Sequence, residues 1–149
     1  MTDAELGSRL ALIESRLQIM ELTARYNEAW DNGRVPDWVA TFTPDGEFIM
    51  AGVPATKGES ALRAMMTAML PAGLVHLTVD HRIRVEGDTA EQRARVILGR
   101  RSPHRRPGSS QWVTAGGYVD QLRRTPDGWR FASRAFAPDA SLSGLPSWW

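Results

Sequence analysis

Residues 74–88 read Leu74-Val75-His76-Leu77-Thr78-Val79-Asp80-His81-Arg82-Ile83-Arg84-Val85-Glu86-Gly87-Asp88, "LVHLTVDHRIRVEGD". Leu77, Val79, Ile83 and Val85 fall at alternating positions, the period of a half-buried strand, and Gly87-Asp88 supplies a tight turn. "TAEQRARVILGRR" answers it as the hairpin partner. Beyond the loop "RRSPHRRPGSS", the segment "QWVTAGGYVDQLRR" turns at Pro126-Asp127-Gly128 into "WRFASRAF". Four long strands in series predict an antiparallel meander over about residues 74–137.

Upstream of this stretch the period is helical. Positions 6, 10, 13, 17, 20, 24, 27 and 31 step by four and three, so they share one face of a helix running from about residue 4 to about 31. They are Leu, Leu, Ile, Leu, Met, Ala, Asn and Asp. A stripe expected to face the core thus ends in an amide and a carboxylate. Asp31-Asn32-Gly33 stops the helix, and "VPDWVATF" restarts as a short one with Val35, Trp38, Val39 and Phe42 on one side. "TPDGEFIMAG" predicts a turn at Pro44-Asp45-Gly46 and a short strand bearing Phe48 and Met50. In "GESALRAMMTAML", Leu62, Met65, Met66, Met69 and Leu70 have helical spacing, and Pro71-Ala72-Gly73 closes that helix. The predicted fold is α+β: helices over about 4–70 packed on one face of a curved antiparallel sheet, then a loop-like tail at 138–149.

A length of 149 residues, 42% of them hydrophobic, fits one domain with a real core. Eighteen Lys+Arg against 17 Asp+Glu leave a net charge of +1, so no overall field attracts nucleic acid or an anionic membrane, and neither is expected as a partner. No cysteine is present, which excludes disulfides, thiolate metal sites and cysteine nucleophiles. Neither a signal-peptide pattern nor a membrane-length apolar run occurs, so the expected location is cytoplasmic. Zinc-protease, EF-hand, nucleophile-elbow, phosphate-loop and dinucleotide motifs are missing too, and no metal or cofactor is expected.

The residues that bear chemistry are few. An ionised Asp31 on a buried stripe needs a partner, and a carboxylate at a helix C-terminus also opposes the macrodipole. The bland alternative is a solvated residue just past the end of the stripe. The histidines are His76, His81 and His104. A histidine held by a carboxylate is the simplest general base near neutral pH. His76 and His81 are five apart, so strict alternation sends them to opposite faces and at most one into a given pocket. That count makes His81 the more buried unless a bulge intervenes. The loop bearing Arg100, Arg101, His104, Arg105 and Arg106 reads as a solvated hairpin tip or as a lid over an acidic substrate. Six tryptophans, among them Trp148 and Trp149, suggest aromatic cover for a pocket or a subunit contact, though core packing explains Trp38, Trp112 and Trp129 equally well.

Taken together, "IMELTARYNEAWDNGRVPDWVATFTPDGEF", "LVHLTVDHRIRVEGDTA" and "GGYVDQLRRTPDGWRFASR" resemble the SnoaL-like group of the nuclear-transport-factor-2-like superfamily. The resemblance implies a cone, a curved antiparallel sheet wrapped around helices with an apolar pocket at its open end. It places Asp31 and His76 where dehydratases and dehydrochlorinases of that group have a catalytic aspartate and the histidine it orients. It picks His76 over His81, against the alternation count. Tyr26 matches a tyrosine that donates to a substrate oxygen, and Pro103-His104 resembles a pair supplying a second catalytic histidine. Trp30, Phe48, Met65, Met69, Tyr118 and Phe136 are the expected apolar wall.

The function this implies is cofactor-independent proton abstraction, as in dehydration, cyclisation or isomerisation, on a small apolar carbonyl or hydroxyl compound such as a polyketide or terpenoid. The resemblance also implies a homodimer or homotrimer. The alternatives are a non-catalytic ligand-binding or assembly module and a small subunit of an oxygenase.

Overall fold

The structure, a computed structural model, describes residues 1–101 and 110–139, with backbone alone at 110–113. Helix α1 spans Asp3–Asp31, α2 Val35–Val39 and α3 Glu59–Met69, the last running into a 3-10 turn at Leu70–Ala72. The strands are β1 Phe42–Met50, β2 Thr56–Lys57, β3 Leu74–Glu86, β4 Thr89–Arg101, β5 Ser110–Thr125 and β6 Gly128–Pro138. They form one six-stranded sheet in the order β2-β1-β6-β5-β4-β3. β3 through β6 pair antiparallel as the predicted meander, whereas β1 joins β6 in parallel. The result is the expected α+β domain, with a sheet mixed rather than wholly antiparallel.

Pro44-Asp45-Gly46 departs from expectation. It lies inside β1, where the register against β6 shifts between Phe42 and Glu47, and so forms an irregularity in the strand rather than a turn before it. A Cβ on Gly46 would stand 2.9 Å from the carbonyl oxygens of Thr43 and Phe131, so this crossing requires glycine. The short strand β2 had no period long enough to show in the sequence.

Helix α1 starts in a capping box: the Thr2 side chain accepts from the Glu5 N–H, and the Glu5 side chain accepts from the Thr2 N–H. It ends at Asn32 and at Gly33, which takes φ +68°. The helix face that enters the core differs from the predicted stripe. Ile19, Leu22, Tyr26, Ala29 and Trp30 are buried, while Leu6, Leu10, Ile13, Leu17 and Met20 are exposed. Two apolar stripes lie on opposite sides of the helix, and the longer, more regular one in the sequence is the outer one. The core joins the inner stripe to Trp38, Phe42, Phe48, Leu62, Met66, Tyr118, Trp129 and Phe131. No helix among the described residues is long and apolar enough to cross a membrane.

Candidate functional site

Asp31 and His76 meet where the last turn of α1 crosses the start of β3. The His76 ring Nδ1 stands 2.7 Å from Asp31 Oδ1, and the His76 backbone N–H donates to both carboxylate oxygens at 3.2 and 3.1 Å. One turn earlier, Asn27 Nδ2 donates to Thr78 Oγ1 at 3.0 Å. Four helix residues advance about 6 Å and two strand residues about 6.6 Å, so the rungs 31–76 and 27–78 keep step along the two elements. This explains why the stripe ends in Asn27 and Asp31. Both lie against β3, and the Asp31 side chain is only 11% exposed rather than solvated.

The carboxylate accepts only, so Nδ1 of His76 carries a proton toward it, and in the neutral ring the lone pair is on Nε2. Around the ring, Trp30 stands edge-on at 5.5 Å between centroids and Tyr26 at 6.2 Å.

The second histidine overturns the alternation count. Asp80 takes φ +57°, in the left-handed region that aspartate tolerates better than most residues, and the β3–β4 register slips between Val79 and Arg82. Before this bulge the even residues His76 and Thr78 face α1; after it the odd residues His81, Ile83 and Val85 do. Leu77 and Val79, assigned inward by alternation, are exposed. Both histidines therefore point to the same side. They help line one groove of about 860 Å³ beside α1, together with Leu17, Met20, Ala24 and Asn27.

His81 is held by a chain of buried polar groups that sequence reasoning missed. Gln92 Nε2 donates to Asp120 Oδ2 at 2.7 Å and to Thr23 Oγ1 at 2.9 Å, which turns Gln92 Oε1 toward His81 Nδ1 at 3.0 Å. Oε1 can only accept, so His81 too carries its proton on Nδ1. Asp120 in turn accepts from Arg134 Nε and Nη2 at 2.8 and 2.7 Å. Gln92, Asp120 and Arg134 are fully buried. The Arg134 guanidinium lies 4.0 to 4.3 Å from the ring centres of Phe131, Tyr118 and Tyr26; its Nη1 has no hydrogen-bond acceptor, and those aromatic faces take that place. Burial works to lower the Arg134 pKa, but the Asp120 charge and hydrogen bonds hold it above its ordinary value. A signal existed in the sequence, since Gln92 and Asp120 interrupt the inward positions of Ala90-x-Gln92-x-Ala94 and Tyr118-x-Asp120-x-Leu122.

The remaining predicted residues fall in three places. Trp30, Phe48 and Tyr118 are buried in the core, and Met65, Met69 and Phe136 are half-buried against it; none of the six lines the groove. Trp38 and Trp129 are core residues. His104, Arg105, Arg106, Trp148 and Trp149 lie outside the described residues, as does most of the arginine-rich loop.

Tyr26 is buried, and that burial, only partly offset by Arg134, pushes its hydroxyl up to about 12. Burial and the neighbouring Tyr26 likewise raise Tyr118 well above 10. A pKa higher in the folded than in the unfolded chain contributes stability that is whole below pH 10 and is lost as pH rises toward 12; for Tyr26 it is on the order of 3 kcal/mol. These are the only two tyrosines. Tyrosinate absorbance is therefore expected to appear together with the loss of far-ultraviolet circular dichroism in an alkaline titration. Ionisation near pH 10 in an intact fold would contradict the packing.

The chain is similar to known proteins over most of its length. An uncharacterised protein of Mycobacterium tuberculosis is 33% identical over 130 residues, covering 84% of this chain and 86% of its own. A crystal structure of an NTF2-like protein with a cystatin-like fold from Novosphingobium aromaticivorans superimposes with a TM-score of 0.82 at 29% identity, covering 97% of each chain. A Mycobacterium tuberculosis protein of unknown function matches with a TM-score of 0.78 at 26% identity, over 95% of this chain and 81% of that one. The SnoaL-like domain model matches residues 11–135, and the chain belongs to that family.

Proposed function

We propose that the protein is a cofactor-independent enzyme of the lyase or isomerase kind, in which the Asp31–His76 pair abstracts a proton from carbon on a small apolar carbonyl or hydroxyl compound, such as a polyketide or terpenoid. The observation that carries this is the 2.7 Å contact between His76 Nδ1 and Asp31 Oδ1. A carboxylate behind Nδ1 leaves Nε2 as the proton acceptor and stabilises the imidazolium formed when Nε2 takes the proton. His81, backed by the neutral amide of Gln92, lacks that charge, so His76 is the base.

In a dehydration, the C–H electron pair becomes the new carbon–carbon double bond as the β-hydroxyl leaves and takes up a proton as water. In an isomerisation, the proton returns to a different carbon. Tyr26, kept protonated by burial, is the proposed hydrogen-bond donor on the dyad's inner side, and His104 is the proposed second proton donor.

The low exposure of the His76 side chain, 4%, favours a second reading in which the pair is a structural strap in a ligand-binding module. Hydrogen exchange separates the two. Incubating the protein in D2O with a panel of aromatic and aliphatic β-hydroxy ketones, with chelator and no added cofactor, should give enzyme-dependent deuteration of one member at carbon next to its carbonyl. Binding of a panel member without exchange or turnover would support the module instead.

A further inference from the structure

The outer stripe of α1 is an apolar surface that the chain itself leaves uncovered. Leu6, Leu10, Ile13, Leu17 and Met20 are 43% to 61% exposed, in line along one side of a 29-residue helix. The first ten residues of the chain are exposed, so the first two turns of α1 rest on nothing. A helix segment of that length is marginal in water without packing. The steps of four and three between these residues are the 3.5-residue repeat of a coiled-coil seam, which is narrower than the stripe a globular core requires.

The flanking charges say what fits the seam. With Leu10 and Leu17 at the a positions and Leu6, Ile13 and Met20 at d, the g positions are Arg9 and Arg16, and the e positions beside Ile13 and Met20 are Glu14 and Glu21. In a parallel, in-register pair each g residue faces the e residue five places on in the other helix. Arg9 then meets Glu14 of the second copy, and Arg16 meets its Glu21. An antiparallel pair would set arginine against arginine and glutamate against glutamate. Among the described residues none of these four is in an intrachain ion pair.

We infer that the Leu6–Met20 face of α1 is a self-association surface, packed in parallel register against the same segment of another copy of this chain. Leu17 and Met20 also line the groove beside His76, so a second copy seated on this face would border that groove; the inference does not rest on the chemistry proposed for Asp31 and His76, and either can fail alone.

The test measures mass in solution for the full chain by light scattering. Wild type is expected to be a multimer, and Leu10→Glu with Leu17→Glu a monomer of unchanged circular dichroism, since neither side chain is in the core. The chain has no cysteine, so Leu6→Cys supplies the only thiol. Mild oxidation should link two copies through it, because parallel register sets residue 6 against residue 6, whereas an antiparallel pair separates the two by about 20 Å. Arg9→Glu with Arg16→Glu should weaken association about tenfold, and mixing with Glu14→Arg, Glu21→Arg should restore it. A monomeric wild type, an assembly indifferent to the two glutamates at positions 10 and 17, or a Leu6→Cys variant that does not cross-link would each overturn the inference.

Discussion

Replacing His76 with alanine is expected to slow turnover of a genuine substrate by roughly 10²- to 10⁴-fold, the usual contribution of a positioned general base. The loss should fall on kcat, because the ring's task lies in the transition state rather than in holding substrate. Asp31→Asn is the informative companion. It keeps the shape of the contact and can still accept from the His76 ring, but it removes the charge that stabilises the imidazolium, so a large part of the same loss is expected. The backbone link from His76 N–H to the residue-31 side chain anchors β3 to α1, so Asp31→Asn should also keep the fold near wild-type stability while Asp31→Ala does not. Full turnover by the His76→Ala protein, with circular dichroism unchanged, would remove the dyad from the mechanism.

The second large effect is expected on stability. Asp120→Ala leaves the fully buried guanidinium of Arg134 without its counter-charge, and breaking one half of such a pair costs about 3–5 kcal/mol. For a chain of this size that lowers the thermal midpoint by about 10 °C or more. Removing both charges together, as Asp120→Leu with Arg134→Met, should recover most of the loss, because the desolvation cost disappears with the pair. A double variant as unstable as Asp120→Ala would mean that the aromatic cage of Tyr26, Tyr118 and Phe131 depends on the cation itself. Asp120→Ala also removes an acceptor of the Gln92 amide, which frees Gln92 to turn and His81 to lose its fixed tautomer. Nitrogen-resolved NMR of the histidine rings should show that change at His81 and not at His76.

Much of the architecture was legible because it is local. The hairpin at Gly87-Asp88, the turn at Pro126-Asp127-Gly128 and the helix stop at Asn32-Gly33 are all written in turn chemistry, and each stands where it was read. β1 illustrates the opposite case. Its parallel pairing with β6 joins residues more than eighty positions apart, and nothing within Phe42–Met50 specifies which neighbour it will have.

The site divides in the same way. Asp31 and His76 were identified as candidates from the resemblance and from the polar end of a helical stripe, and their contact is a matter of helix pitch matching strand rise. That His81 lines the same groove as His76 was not legible, since it depends on one residue in a left-handed conformation. A bulge at Asp80 reverses the facing of everything after it, and aspartate is only one of several residues that tolerate that conformation.

By itself the sequence determined the elements other than β2, their order and the polar residues available for chemistry, because periodicity and turn preferences act over a few residues at a time. Only the tertiary structure decided which side of α1 is buried. Both sides are apolar, and a helix with two opposed stripes can be oriented only by what it packs against: the core formed with the sheet, α2 and α3 takes Ile19, Leu22, Tyr26 and Ala29 and leaves Leu6, Leu10, Ile13, Leu17 and Met20 outside.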